Sequence, residues 1–171
     1  MIKAIETIYN NYRFRSRLEA RWAVFFDTLG IRYVYEKEGY ELEGIWYLPD
    51  FWLPAQEMWV EIKGDKPTEK EVEKALLLCM LSKKRVAIAW GSIDTNFIFN
   101  EVYVPFHYAE EDIDSCTIEE EQVWAECPIC HKVDIVHGGF IRNLGCDCST
   151  HQTPRIVDAF KAARQARFEH R

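Results

Sequence analysis

The chain has no run of 18 uninterrupted apolar residues, so no transmembrane helix is expected. Its opening, Met1-Ile2-Lys3-Ala4-Ile5-Glu6, lacks a charged segment leading into a long apolar one. No signal peptide is therefore read, and a cytoplasmic location without membrane partners is expected. There is no internal repeat and no low-complexity tract. Residues 109–126 hold eight Asp and Glu and not one Lys or Arg. This segment accounts for the net charge of −7, so the acidic balance does not exclude a nucleic-acid partner for the rest of the chain.

What is present suits a soluble α/β domain. At 171 residues there is room for one core and an appendage, and 48% hydrophobic residues with six tryptophans suffice to fill that core. Leu18, Trp22, Phe25 and Leu29 recur at helical spacing and predict a first helix. A second helix starts near Thr68 and runs to about Ser82, with apolar residues at 72, 75, 76 and 79. Val86–Trp90 reads as a buried strand ended by Gly91, and residues 96–104 as another. Cys79 lies on an apolar helix face and reads as a packing residue.

The most informative stretch runs from Tyr47 to Gly64. Residues 46–53 and 57–63 read as two strands joined by Pro54-Ala55-Gln56-Glu57. A hairpin symmetric about Ala55-Gln56 sets Asp50 opposite Glu61 and projects Asp50, Glu61 and Lys63 to one side. A slip of one residue would turn Asp50 to the other face. Carboxylates among aromatic neighbours are costly to bury unless paired, and a divalent cation is a suitable partner. The plain alternative is a turn aspartate beside a cross-strand Glu61–Lys63 ion pair.

Pro49-Asp50 followed by Glu61-Ile62-Lys63, with Glu19 on the preceding Arg-rich helix, resembles the PD-(D/E)XK nuclease superfamily over residues 10–105. The resemblance implies a restriction-endonuclease-like core, a mixed sheet flanked by helices, over 1–108. It implies Mg²⁺ (or Mn²⁺) at Asp50 and Glu61 with the Ile62 carbonyl as a further ligand, Lys63 assisting the attacking water, and Glu19 supporting the site. The expected activity is phosphodiester hydrolysis, in DNA. For Glu19 the competing reading is a surface pair with Arg15. A Gln–Tyr pair that some relatives carry on the second helix has no counterpart here.

Cys127-Pro128-Ile129-Cys130 and Cys146-Asp147-Cys148 have the spacing of a zinc ribbon, expected over 123–152 with Zn²⁺ in a structural role. His131, His137 or His151 is an alternative fourth ligand. Residues 109–122 read as an acidic connector, although nucleic-acid mimicry is a further reading. Residues 153–171 read as a basic helix, capped by Thr153 and started by Pro154. Arg15, Arg17, Arg155, Arg164 and Arg167 are the candidate phosphate contacts, against a bland reading of docking helices with solvated basic faces. Trp46, Trp52, Trp59 and Trp124 are candidates for base stacking or for the core. The whole looks like small phage and prophage-encoded proteins. A homodimer would serve two-strand cleavage, and a host or phage protein is an alternative partner. The competing function is an inactive nuclease fold that binds nucleic acid, or a zinc-ribbon adaptor.

Overall fold

Asp50 and Glu61 owe their positions to a short hairpin inside a seven-stranded sheet. The computed structural model describes residues 4–94, 97–108, 113–137 and 153–168, leaving aside the side chains of 106–108 and 113–115. Its elements are β1 (Thr7–Tyr9), β2 (Tyr12–Phe14), α1 (Arg17–Leu29), β3 (Val34–Tyr35), β4 (Tyr40–Leu42), β5 (Ile45–Tyr47) and β6 (Phe51–Leu53). They continue with β7 (Met58–Lys63), α2 (Glu69–Ser82), β8 (Arg85–Trp90), β9 (Phe99–Tyr108), β10 (Ile113–Glu126), β11 (Val133–His137) and α3 (Pro154–Gln165).

The main sheet has the order β11-β10-β9-β8-β7-β6-β3. Its β7–β8 pair is parallel and its other pairs are antiparallel, so the fold is a mixed α/β one. Strand alternation divides the core between two faces. Met58, Val60 and Ile62 join Trp22, Phe25 and Phe26 of α1 and Ile156 and Phe160 of α3. Trp59 joins Val86, Ile88 and Tyr103 beneath Ala75, Leu78 and Cys79 of α2. Phe25 and Phe160 bring their ring centroids to 4.5 Å, which fixes the two helices against each other.

The expected strand over 46–53 is two strands in different sheets. Residues 45–47 pair with β4, whereas 51–53 pair with β7 and β3. Pro49 lies in the break, and it has no N–H to continue a ladder. The expected strand at 96–104 begins at Phe99 and extends to Tyr108.

The largest correction concerns the acidic segment. Residues 113–122 are strand rather than connector, since β10 is hydrogen-bonded to β9 from Ile113 to Gln122. Residues 117–121 are exposed, so the ladder holds this stretch while its charges remain hydrated. The rest of β10 and all of β11, within the span expected as a separate ribbon, extend the main sheet, and Trp124 is buried in its core. The buried Gln56 amide donates to the Val133 carbonyl at 2.9 Å, and Arg85 pairs with Asp134 at 2.9 Å. These bonds tie the β6–β7 turn and β8 to β11.

Candidate functional site

The β6–β7 register pairs Phe51 with Val60, Trp52 with Trp59 and Leu53 with Met58. Continued by one position, it sets Asp50 opposite Glu61, the register that symmetry about Ala55-Gln56 predicts. Asp50 occupies the bend after Pro49, and both carboxylates are only 6% exposed. Each is held by main chain from the other side. Ile62 N–H donates to Asp50 Oδ2 at 2.8 Å, and Asp50 N–H donates to Glu61 Oε2 at 3.3 Å.

Lys63 lies two residues beyond Glu61 on the same face. Its Nζ is 2.8 Å from Glu61 Oε1 and 3.2 Å from Glu71 Oε1. Glu71 is in the first turn of α2, and its other oxygen accepts from Thr68 N–H and Thr68 Oγ1, both at 2.8 Å. One carboxylate thus caps α2 and anchors Lys63. The half-buried Tyr47, from β5, lies close enough to Glu61 to feel its charge.

Glu19 is buried at the start of α1. Ser16 Oγ donates to its Oε1 at 2.6 Å, while Tyr35 OH and Arg15 N–H donate to its Oε2 at 2.6 and 3.1 Å. Ser16 Oγ in turn accepts from Glu19 N–H at 3.1 Å. Glu19 is therefore part of the cap of α1, and the Arg15 side chain pairs with Glu36 at 2.5 Å instead. Its charge nevertheless reaches Asp50.

The electrostatics follow from this crowding. Burial, then Glu61 and then Glu19, hold the Asp50 carboxyl well above the usual aspartate range; the Ile62 N–H and Lys63 oppose this without prevailing. Burial alone would lower Lys63, but Glu61 and Glu71 outweigh it and raise the ammonium to about 12. Burial first, then the charge of Glu61, pushes the Tyr47 phenol up, so it remains a hydrogen-bond donor.

Asp50, Glu61 and Lys63 thus come together, with Glu19 acting on Asp50 through its charge. Sequence reasoning missed Tyr47 and Glu71. Glu71 had a signal in the pattern Thr68-x-x-Glu71, and Glu19 had the same one in Ser16-x-x-Glu19. Tyr47 had none. Among the described residues, no group of three or more His, Cys, Asp and Glu gathers to hold an ion.

At the β10–β11 turn, Cys127 is buried and accepts N–H bonds on its sulfur from Ile129 and Cys130, both at 3.4 Å. His131 N–H returns to the Cys127 carbonyl at 2.9 Å, with His131 at a φ of 58°. This turn directs two N–H dipoles at one sulfur, an arrangement suited to a thiolate ligand. Cys146, Cys148 and His151 lie outside the described residues.

The proposed phosphate contacts are largely engaged within the protein. Arg155 pairs with the buried Glu126 at 2.5 Å and donates to the Leu29 carbonyl; Arg164 pairs with Asp94 at 3.0 Å. Arg167 is exposed, as is Trp46 at 66%, whereas Trp59 and Trp124 are core. Among the described residues no helix is long and apolar enough to cross a membrane. No family model, curated protein or solved structure matches the chain.

Proposed function

We propose that this protein is a divalent-metal-dependent nuclease of the PD-(D/E)XK type, hydrolysing phosphodiester bonds in DNA within the cytoplasm. The observation that carries this reading is the buried Asp50–Glu61 pair, in which burial first, and then the charge of Glu61, raises Asp50 despite the nearby Lys63. Structural ion pairs do not need a second buried carboxylate beside the first. The oxygen donors fit a hard cation, and two carboxylates are the usual complement for Mg²⁺, which keeps its other positions for water and phosphate oxygens.

Asp50 and Glu61 would hold that cation, with the Ile62 carbonyl as the further protein donor. When bound, it supplies Lewis-acid polarisation of the scissile phosphate. Main-chain bonds fix the direction of both carboxylates beforehand, which limits reorganisation on binding. Lys63 Nζ, kept protonated by Glu61 and Glu71, donates to water or to a phosphate oxygen and offsets developing charge. It is a donor at neutral pH and not a base. Tyr47 and Glu71 position Glu61 and Lys63. A structural Zn²⁺ at Cys127, Cys130, Cys146 and Cys148 completes the reading, supported by the Cys127 turn.

The test is cleavage of labelled single-stranded, duplex and branched DNA with Mg²⁺ or Mn²⁺, beside Asp50→Ala and Lys63→Ala. Cleavage that requires the cation and disappears in both variants is expected. Retained DNA binding without cleavage of any substrate would overturn it in favour of a non-enzymatic binder.

A further inference from the structure

A recess opens beside the candidate site, on the strand next to it. In the parallel β7–β8 register Glu61 pairs with Ile88 and Lys63 with Trp90, and Gly91 N–H donates to the Lys63 carbonyl at 3.0 Å. Paired residues on neighbouring strands project to the same face, about 4.8 Å apart. Ile88 and Trp90 therefore continue the face that carries Glu61 and Lys63. Across Ile88 and Trp90 lies a cavity of about 270 Å³. Buried Ile88 and Tyr103 are among its lining residues, with the half-buried Trp90, Pro67 and Val72. Polar groups enter through Lys66, Asn100 and Glu101, with Glu101 held by the Tyr103 hydroxyl at 2.7 Å.

Apolar and aromatic surface with a few polar groups suits a planar heterocycle with a polar edge. An indole offers a stacking face, and an amide and a carboxylate offer a donor and acceptors to base edges. A base inside a duplex stack cannot enter a recess, whereas one outside the stack can. We propose that this cavity receives the base of an unpaired nucleotide adjacent to the cleaved phosphate, so that the substrate is single-stranded or locally unpaired nucleic acid. The inference rests on reading Asp50, Glu61 and Lys63 as the hydrolytic site. It adds what that site selects.

The experiment measures binding in Ca²⁺ and cleavage in Mn²⁺ of a labelled single strand and of a blunt duplex of the same sequence. The proteins are the wild-type full chain, Trp90→Leu and Asn100→Ala; Asn100 is exposed, so its variant keeps the fold. The single strand is expected to be bound and cut about tenfold better than the duplex, with most of that preference lost in both variants. Metal-dependent cleavage that ignores both substitutions, or that treats duplex and single strand alike, overturns the recess and leaves the nuclease standing. Single-strand binding that depends on Trp90 and Asn100 without any cleavage supports the recess as a base site and overturns the nuclease. Neither binding nor cleavage overturns both.

Discussion

Asp50 and Glu61 are cross-linked through each other's main chain: the amide of Asp50 donates to Glu61, and the amide next to Glu61, that of Ile62, donates to Asp50. The two carboxylates are thereby held close although both are buried. The protein lacking a divalent cation bears this repulsion, and several consequences can be measured.

The first concerns pH. Asp50 binds its proton more tightly in the folded chain than the ordinary value of 3.8, so the folded state carries more protons above that pH. Stability contributed by this group therefore falls as pH rises from about 4 through the raised native value. Asp50→Asn should remove that slope. In EDTA at neutral pH it should melt later than wild type. Mn²⁺ should stabilise wild type and not the variant. Thermal melts at acidic and neutral pH, with and without Mn²⁺, check this. Equal melting of the two proteins in EDTA would contradict it.

Lys63 has the opposite sign. Its folded value is raised from 10.5 to about 12, so its ion pairing contributes fully below 10.5 and is lost as pH climbs through about 12. Lys63→Met leaves Glu61 buried without that cation. It should cost about 3 kcal/mol in urea denaturation and abolish cleavage.

Glu71 links the site to the start of α2. Glu71→Gln keeps an acceptor for Thr68 but loses the charge on Lys63. Helix content by circular dichroism should be unchanged, while cleavage falls about fivefold and the alkaline limb of its pH profile shifts to lower pH. Thr68→Ala should instead cost about 1 kcal/mol of stability.

The Cys127 turn predicts about one zinc per chain by elemental analysis, lost in Cys127→Ser or Cys130→Ser. Removal should lower the melting temperature. Activity at temperatures below the new melt should persist, as expected of a structural ion.

Arg155 is predicted to be a structural residue. Burial alone would raise Glu126, but Thr153, Arg155 and then His131 outweigh it and hold it below 4.5. The associated stability is present above that value and lost as pH falls through the folded one. Arg155→Ala should destabilise by about 3 kcal/mol and leave the salt dependence of DNA binding unchanged. A shallower salt slope would return Arg155 to the binding surface.

The sequence made the hairpin legible because its turn is short and its strands are rich in aromatic and β-branched residues. The symmetric register followed from those features. The helices were legible from their apolar spacing and, for α2 and α3, from Thr68, Thr153 and Pro154, although α3 stops at Gln165 and residues 166–168 do not continue the helix expected over 153–171. Strand β10 was not, since residues 117–121 bury no face and leave no period of two. Their structure comes from partners in β9, which spacing cannot reveal. The basic residues misled in the same way. Arg155 reads as surface charge, and only the fold shows Glu126 and Leu29 beside it.

The bond from Arg155 to the Leu29 carbonyl joins positions 126 residues apart. The side of α1 that Phe160 covers, at Trp22 and Phe25, consequently stays wet until α3 has been synthesised and docked. A ribosome-bound chain can form the β6–β7 hairpin and lay α1 behind it early, yet the helix that packs against α1 arrives last. Contacts of such sequence separation slow folding and make it depend on the late segment. A nascent or C-terminally clipped copy would present Phe25 and Trp124 to solvent, a mark for chaperones and proteases before any chemistry is possible.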